Sequence, residues 1–133
     1  MIDVFLDTVG MMAIWNRRDQ WHAAAKEAMG EIRSKRFGII TSTLVLFKCG
    51  NAAARHKFRS LVKSLRIELV ETNKLIEPTA ADIGQAWAAY DRGEANNAEI
   101  VHQVSFVVMR KLGLTHAFTN DAHFRAAGFE TMF

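Results

Sequence analysis

Two aspartates, Asp7 and Asp121, each follow a short apolar run, Val4-Phe5-Leu6 and Ala117-Phe118, so that both belong just beyond a strand. Paired carboxylates hold hard divalent cations such as Mg²⁺ and Mn²⁺, which take oxygen ligands in octahedral geometry. An ion held in that way activates water for attack on a phosphodiester and neutralises the leaving oxyanion. Two other side chains alter this chemistry. Lys48 and His102 lie in amphipathic helical stretches, 44–51 and 100–106. An ammonium has no lone pair to give a metal and repels one. An imidazole can bind Mn²⁺ or a transition metal and can move protons. Thr8, Ser105 and Asn120 are supporting candidates, each equally able to bond its own backbone. Asp19 and His22 stand three apart, where a helix start makes capping the competing role. The chain has no Gly-rich phosphate loop, no Cys/His zinc spacing and no His-Glu-x-x-His pattern.

Short apolar runs alternate with helical patterns, the signature of a parallel α/β sheet with helices on both faces. Strands are expected over 2–6, 37–40, 66–70, 115–118 and 130–133. A short helix is expected over 9–15, and one from an Asp19 cap through Arg36. Thr41 or Ser42 caps the next, which carries Lys48. Thr79 opens another in a capping box with Asp82, directly after the only proline, Pro78. Asn96 would cap a helix running through Leu112 to Gly113, with Glu99 completing that box. In open parallel sheets ligands sit beyond the carboxyl ends of the strands. Asp7, Lys48, His102 and Asp121 therefore converge on one crevice by topology alone.

At 133 residues the chain reads as one domain, 1–133, with no linker or repeat. Its 50% hydrophobic content is that of a globular protein, and no apolar run reaches the ~20 residues that span a bilayer. No secretory signal is visible, and the single Cys49 fits a reducing compartment, so a cytoplasmic location without membrane attachment is expected. The net charge of +3 points mildly to an anionic partner. Arg55, His56, Lys57, Arg59, Lys63 and Arg66 cluster, as do Arg33, Lys35 and Arg36. Without an aromatic pattern in the sequence, the first reads as a solvated helix face and the second as cations at a helix C-terminus, where they oppose the macrodipole. Trp15, Trp21 and Trp87 fall at helical apolar positions and read as core or dimer contacts.

The segments Phe5-Leu6-Asp7-Thr8, Ser105-Phe106 and Thr119-Asn120-Asp121-Ala122-His123-Phe124, in this order, resemble the PIN-domain family of VapC-like toxin ribonucleases. The resemblance covers nearly the whole chain. It implies a single α/β PIN-like domain and a Mg²⁺- or Mn²⁺-dependent endoribonuclease. It also implies RNA as substrate, a VapB-like antitoxin and a homodimer. The family's four acids fall on Asp7, Lys48, His102 and Asp121, so the second and third are replaced. Asp7 and Asp121 remain as metal ligands, and the four positions keep one net negative charge with His102 neutral. Metal binding is accordingly expected to be weak or absent. Lys48 either bridges Asp7 and Asp121 as a built-in cation or extends into solvent. Three readings stand: a nuclease toxin, an inactive PIN protein that binds RNA or a partner, and a structural or dimerisation module.

Overall fold

In the computed structural model, which describes residues 2–133, five parallel strands form one sheet in the order β3-β2-β1-β4-β5. The strands are β1 (Asp3–Leu6), β2 (Gly38–Ser42), β3 (Leu75–Ile76), β4 (His116–Phe118) and β5 (Glu130–Thr131). Val4, Phe5 and Leu6 of the central strand are fully buried, as expected of a parallel strand covered on both faces. The helices flanking the sheet are α1 (Thr8–Trp15), α2 (His22–Ser34), α3 (Thr43–Ala53), α4 (Arg59–Glu71), α5 (Ala80–Asp91), α7 (Ile100–Lys111) and α8 (Ala122–Ala126), with a short turn α6 (Glu94–Asn97). The strand order reverses between β1 and β4, which places the switch-point crevice beyond Leu6 and Phe118.

Local chemistry sets the boundaries of these elements. Ser42 ends β2 and caps α3, its hydroxyl accepting the Val45 N–H at 3.2 Å. Thr79 and Asp82 form the expected reciprocal capping box of α5. The residues 66–70 expected as a strand instead form the second half of α4. Leu65 and Leu69 are both buried there, four apart, and that spacing suits one face of a helix. The short apolar run was ambiguous between the two periods, and the third strand is the two-residue β3 that follows. Asn96 does not cap α7 either. It sits in α6 with φ 57°, and Glu99 takes the N-cap position. Asp19 accepts the Trp21 N–H at 2.8 Å, three residues ahead of α2. Trp21 and Trp87 are exposed rather than in the core, whereas Trp15 packs partly against it. Among the described residues no helix is long and apolar enough to cross a membrane.

Candidate active site

Asp7 follows β1 at the N-cap of α1, yet its side chain makes no capping hydrogen bond. The carboxylate is buried and turns to β4 instead: the Thr119 hydroxyl donates to Oδ2 at 2.9 Å. The same hydroxyl accepts the Asp121 N–H at 3.1 Å. Thr119 thus fixes both aspartates to one point. Asp121 in turn caps α8, and its Oδ1 receives the His123 N–H at 2.9 Å and faces His123 Nδ1 at 2.8 Å. Both acids stand at helix N-termini, where the backbone favours negative charge.

Between them stands His102. Its Nε2 lies 3.6 Å from Asp7 Oδ1, 3.6 Å from Asp121 Oδ2 and 3.8 Å from Glu99 Oε1. The ring is buried, with Phe106 and Phe124 packed around it at centroid distances of 6.2 and 5.2 Å. Burial works against its protonated form, and Nδ1 has no hydrogen-bond partner, which adds roughly 1–3 kcal/mol to the cost of a second N–H. The hydrogen bond and charge of Asp7 oppose this first, followed by the charges of Asp121 and of the more exposed Glu99. The carboxylates win, and the pKa of His102 is raised above its ordinary 6.5. For Asp121, burial raises the pKa, but the His123 hydrogen bonds and the His102 charge outweigh it and hold the acid below its usual value.

Lys48 does not bridge Asp7 and Asp121. Its ammonium sits 2.6 Å from Glu99 Oε1, a partly exposed pair across the cleft mouth that holds Glu99 below its usual pKa. His102 takes the central place that the sequence had offered to Lys48. Glu99 therefore serves as the partner of Lys48 and not in a capping box with Asn96. The Ser105 hydroxyl donates to the Val101 carbonyl at 3.1 Å within its own helix, and Asn120 lies outside the cleft lining. Thr8 lines the cleft; its buried hydroxyl has no nitrogen or oxygen partner, and the Cys49 thiol lies beside it. Burial pushes that thiol up to about 12, which leaves it inert as a nucleophile. His22 turns away to the Ala13 carbonyl at 2.9 Å and forms no pair with Asp19. The sequence alone does not tie Thr119 to Asp7, although a hydroxyl two residues before an aspartate is a recognisable positioning device.

The cleft formed in this way has a volume of about 430 Å³, with Met12, Asp19, Lys48, Glu99, Asp121 and His123 in its walls. A hard divalent ion needs several free oxygens around one point. Here Asp7 Oδ2 and Asp121 Oδ1 are engaged, and His102 Nε2 stands beside their other oxygens. The donor set does not fit Mg²⁺. Among the described residues, the cluster able to bring three donors together is His102, Asp121 and His123, with two imidazoles and one carboxylate. The Asp121–His123 pair is also a carboxylate-oriented imidazole, an arrangement suited to taking a proton.

A five-stranded parallel sheet with aspartates at its switch point is the arrangement that the PIN-domain resemblance implies. No family model matches the chain. It is 33% identical over 135 aligned positions to the 23S rRNA-specific endonuclease VapC20 of Mycobacterium tuberculosis, in strain CDC 1551 / Oshkosh and equally in strain ATCC 25618 / H37Rv, covering 95% of each chain. The crystal structure of Mycobacterium tuberculosis VapC20, a sarcin–ricin loop cleaving toxin, superposes with a TM-score of 0.79 at 27% identity over 95% of both chains. The chain belongs to the VapC-like family of PIN-domain endonuclease toxins.

Proposed function

We propose that this chain is an RNA-directed toxin of the VapC20 type, aimed at the sarcin–ricin loop of 23S rRNA, with a cleavage centre attenuated from within. The end-to-end similarity to VapC20 supports the target. The attenuation rests on one observation: His102 Nε2 stands 3.6 Å from both Asp7 and Asp121, where the family resemblance puts an acid. Lys48, at the other replaced acid, adds a second cation at the cleft mouth. Three carboxylates then face the Lys48 ammonium and the His102 imidazole, whose protonated form they favour, and the attraction for a divalent ion is largely spent inside the protein. The family's chemistry uses such an ion to activate water, and this donor set does not offer it the oxygen shell it needs. What remains to the chain's own residues is proton handling by His123, which Asp121 orients. A VapB-like antitoxin and a homodimer belong to this reading through the family.

The same arrangement favours a second reading, in which the protein binds RNA or its partner without cutting. Cleavage of a sarcin–ricin stem-loop RNA separates the two. The unaltered protein would be compared with the Lys48→Glu, His102→Asp double variant in Mg²⁺ and in Mn²⁺, with an added Asp7→Asn change as the blank. The attenuated-toxin reading expects cleavage by the unaltered protein above the blank, slower than the double variant by on the order of a hundredfold or more. Activity in the double variant alone supports the binding reading. Silence in both contradicts the assigned target.

A further inference from the structure

Outside the cleft, two connections that carry no secondary structure come together. The link from α1 to α2 supplies Arg17 and Arg18, and the link from α3 to α4 supplies His56, Lys57 and Phe58. They enclose a groove of about 650 Å³ whose floor includes Trp15 and whose lining contains no acidic residue. Arg17, Arg18 and Lys57 form no ion pair among the described residues, whereas five other lysines and arginines of the chain do. Three uncompensated cations in one concavity call for an anionic ligand. The rings specify which kind. His56 and Phe58 are stacked at 4.7 Å with planes 11° apart, and Trp15 lies 6.4 Å from Phe58. Arg59 holds this loop in shape by donating to the Ala54 carbonyl at 3.1 Å.

We infer that this groove is an RNA subsite, in which a nucleobase stacks on the His56–Phe58–Trp15 surface while Arg17, Arg18 and Lys57 hold flanking phosphates. Cations beside aromatic faces are how proteins hold unpaired nucleotides: the charge follows the backbone and each base finds a π-surface. An acidic peptide would use the cations and leave the stacked rings without a matching partner. The groove also neighbours the cleft along α1. Helix α1 lines the cleft with Thr8, Val9 and Met12 and reaches the groove at Trp15, a span of about 12 Å for its eight residues. Arg18 lines the groove and Asp19, the next residue, lines the cleft. A strand held in the groove would therefore present its neighbouring nucleotides to the Asp7–Asp121 centre. The sequence showed the cations of 55–66 without an aromatic pattern because Trp15 comes from a distant segment and only the fold adds it.

This inference rests on the RNA reading above, and its test keeps the two apart. Fluorescence anisotropy of a labelled sarcin–ricin stem-loop RNA would be followed against salt for the whole chain. The variants are Arg17→Ser/Arg18→Ser, Phe58→Leu, and Arg92→Ser as a basic residue outside the groove. The arginine pair is exposed, so its loss leaves the fold intact. It should weaken binding at least fivefold near 0.15 M salt and lower the slope of log K against log salt by about 1.4, roughly 0.7 for each cation. Phe58→Leu should weaken binding about fivefold or more with the slope unchanged, and Arg92→Ser should do neither. RNA binding by the unaltered protein that neither groove change affects overturns the subsite and leaves the RNA reading standing. Binding lost equally in the Arg92→Ser control overturns it as well, since that reports charge alone. No RNA binding by the unaltered protein refutes both.

Discussion

Asp7 occupies a helix N-cap and gives its carboxylate to Thr119 instead of to the helix. A side chain that forgoes its local partner for one 112 positions away in sequence is held for the site. Replacing Thr119 by valine keeps the shape and removes the hydroxyl, leaving Asp7 Oδ2 and the Asp121 N–H without their shared partner. The expected loss is roughly 1–3 kcal/mol of stability, measured by denaturant unfolding; an unchanged midpoint would mean that Thr119 positions neither acid. His102 makes a second prediction, through pH. Its folded pKa is raised, so its contribution to stability is complete below the unfolded value of 6.5 and is lost as pH rises through the folded value. Melting temperature should therefore fall as pH climbs from about 6.5, and the His102→Gln variant should lose that slope. A slope that survives in the variant must come from another group. Asp7 and Asp121 could be singled out from the sequence because each follows an apolar run. The place of His102 between them could not, since it depends on where α7 docks beside β1 and β4.

Helix α1 holds the site together at the next scale, because it carries Asp7 at its start and leans on β4. Gly10 makes that approach possible: a Cβ there would overlap the Phe118 carbonyl oxygen and ring. Gly10→Ala should push α1 off the sheet at a cost of about 1–3 kcal/mol, and it should weaken the Asp7–Thr119 contact as well as the fold. Thermal unfolding together with activity in the Lys48→Glu, His102→Asp background would check both effects; wild-type values would show that α1 has room to spare. Much at this scale was readable in advance. Four of the five strands lie within two residues of their expected bounds, since apolar runs between turn residues mark buried strands plainly. The exception, 66–70, failed because Ile67 and Val70 suggest a strand while the buried pair Leu65 and Leu69 follows the helical repeat. Asn96 misled for a different reason: the chain turns left-handed at Ala95 and Asn96, so α7 starts only after Glu99. Nothing local in Asn-Asn-Ala-Glu distinguishes that turn from a cap.

For the molecule as a whole, the net charge of +3 suits a protein that meets RNA. Its distribution matters more than its size, since the free cations of the groove adjoin a cleft where Lys48 is committed to Glu99 and His102 stands between Asp7 and Asp121. The family and the fold class were legible in the sequence. The partners of Lys48 and His102 were not, because the Lys48–Glu99 pair spans 51 positions and exists only when α3 and α7 are side by side. The central claim is that His102 and Lys48 occupy the electrostatic role of a divalent ion in this cleft. Calorimetric titration with Mn²⁺ tests it most directly, with the unaltered protein set against the Lys48→Glu, His102→Asp variant at one pH. The account predicts no saturable binding to the unaltered protein in the range where the double variant takes up an ion, with that uptake abolished by Asp7→Asn. Equal affinity in the unaltered protein and the double variant would contradict it.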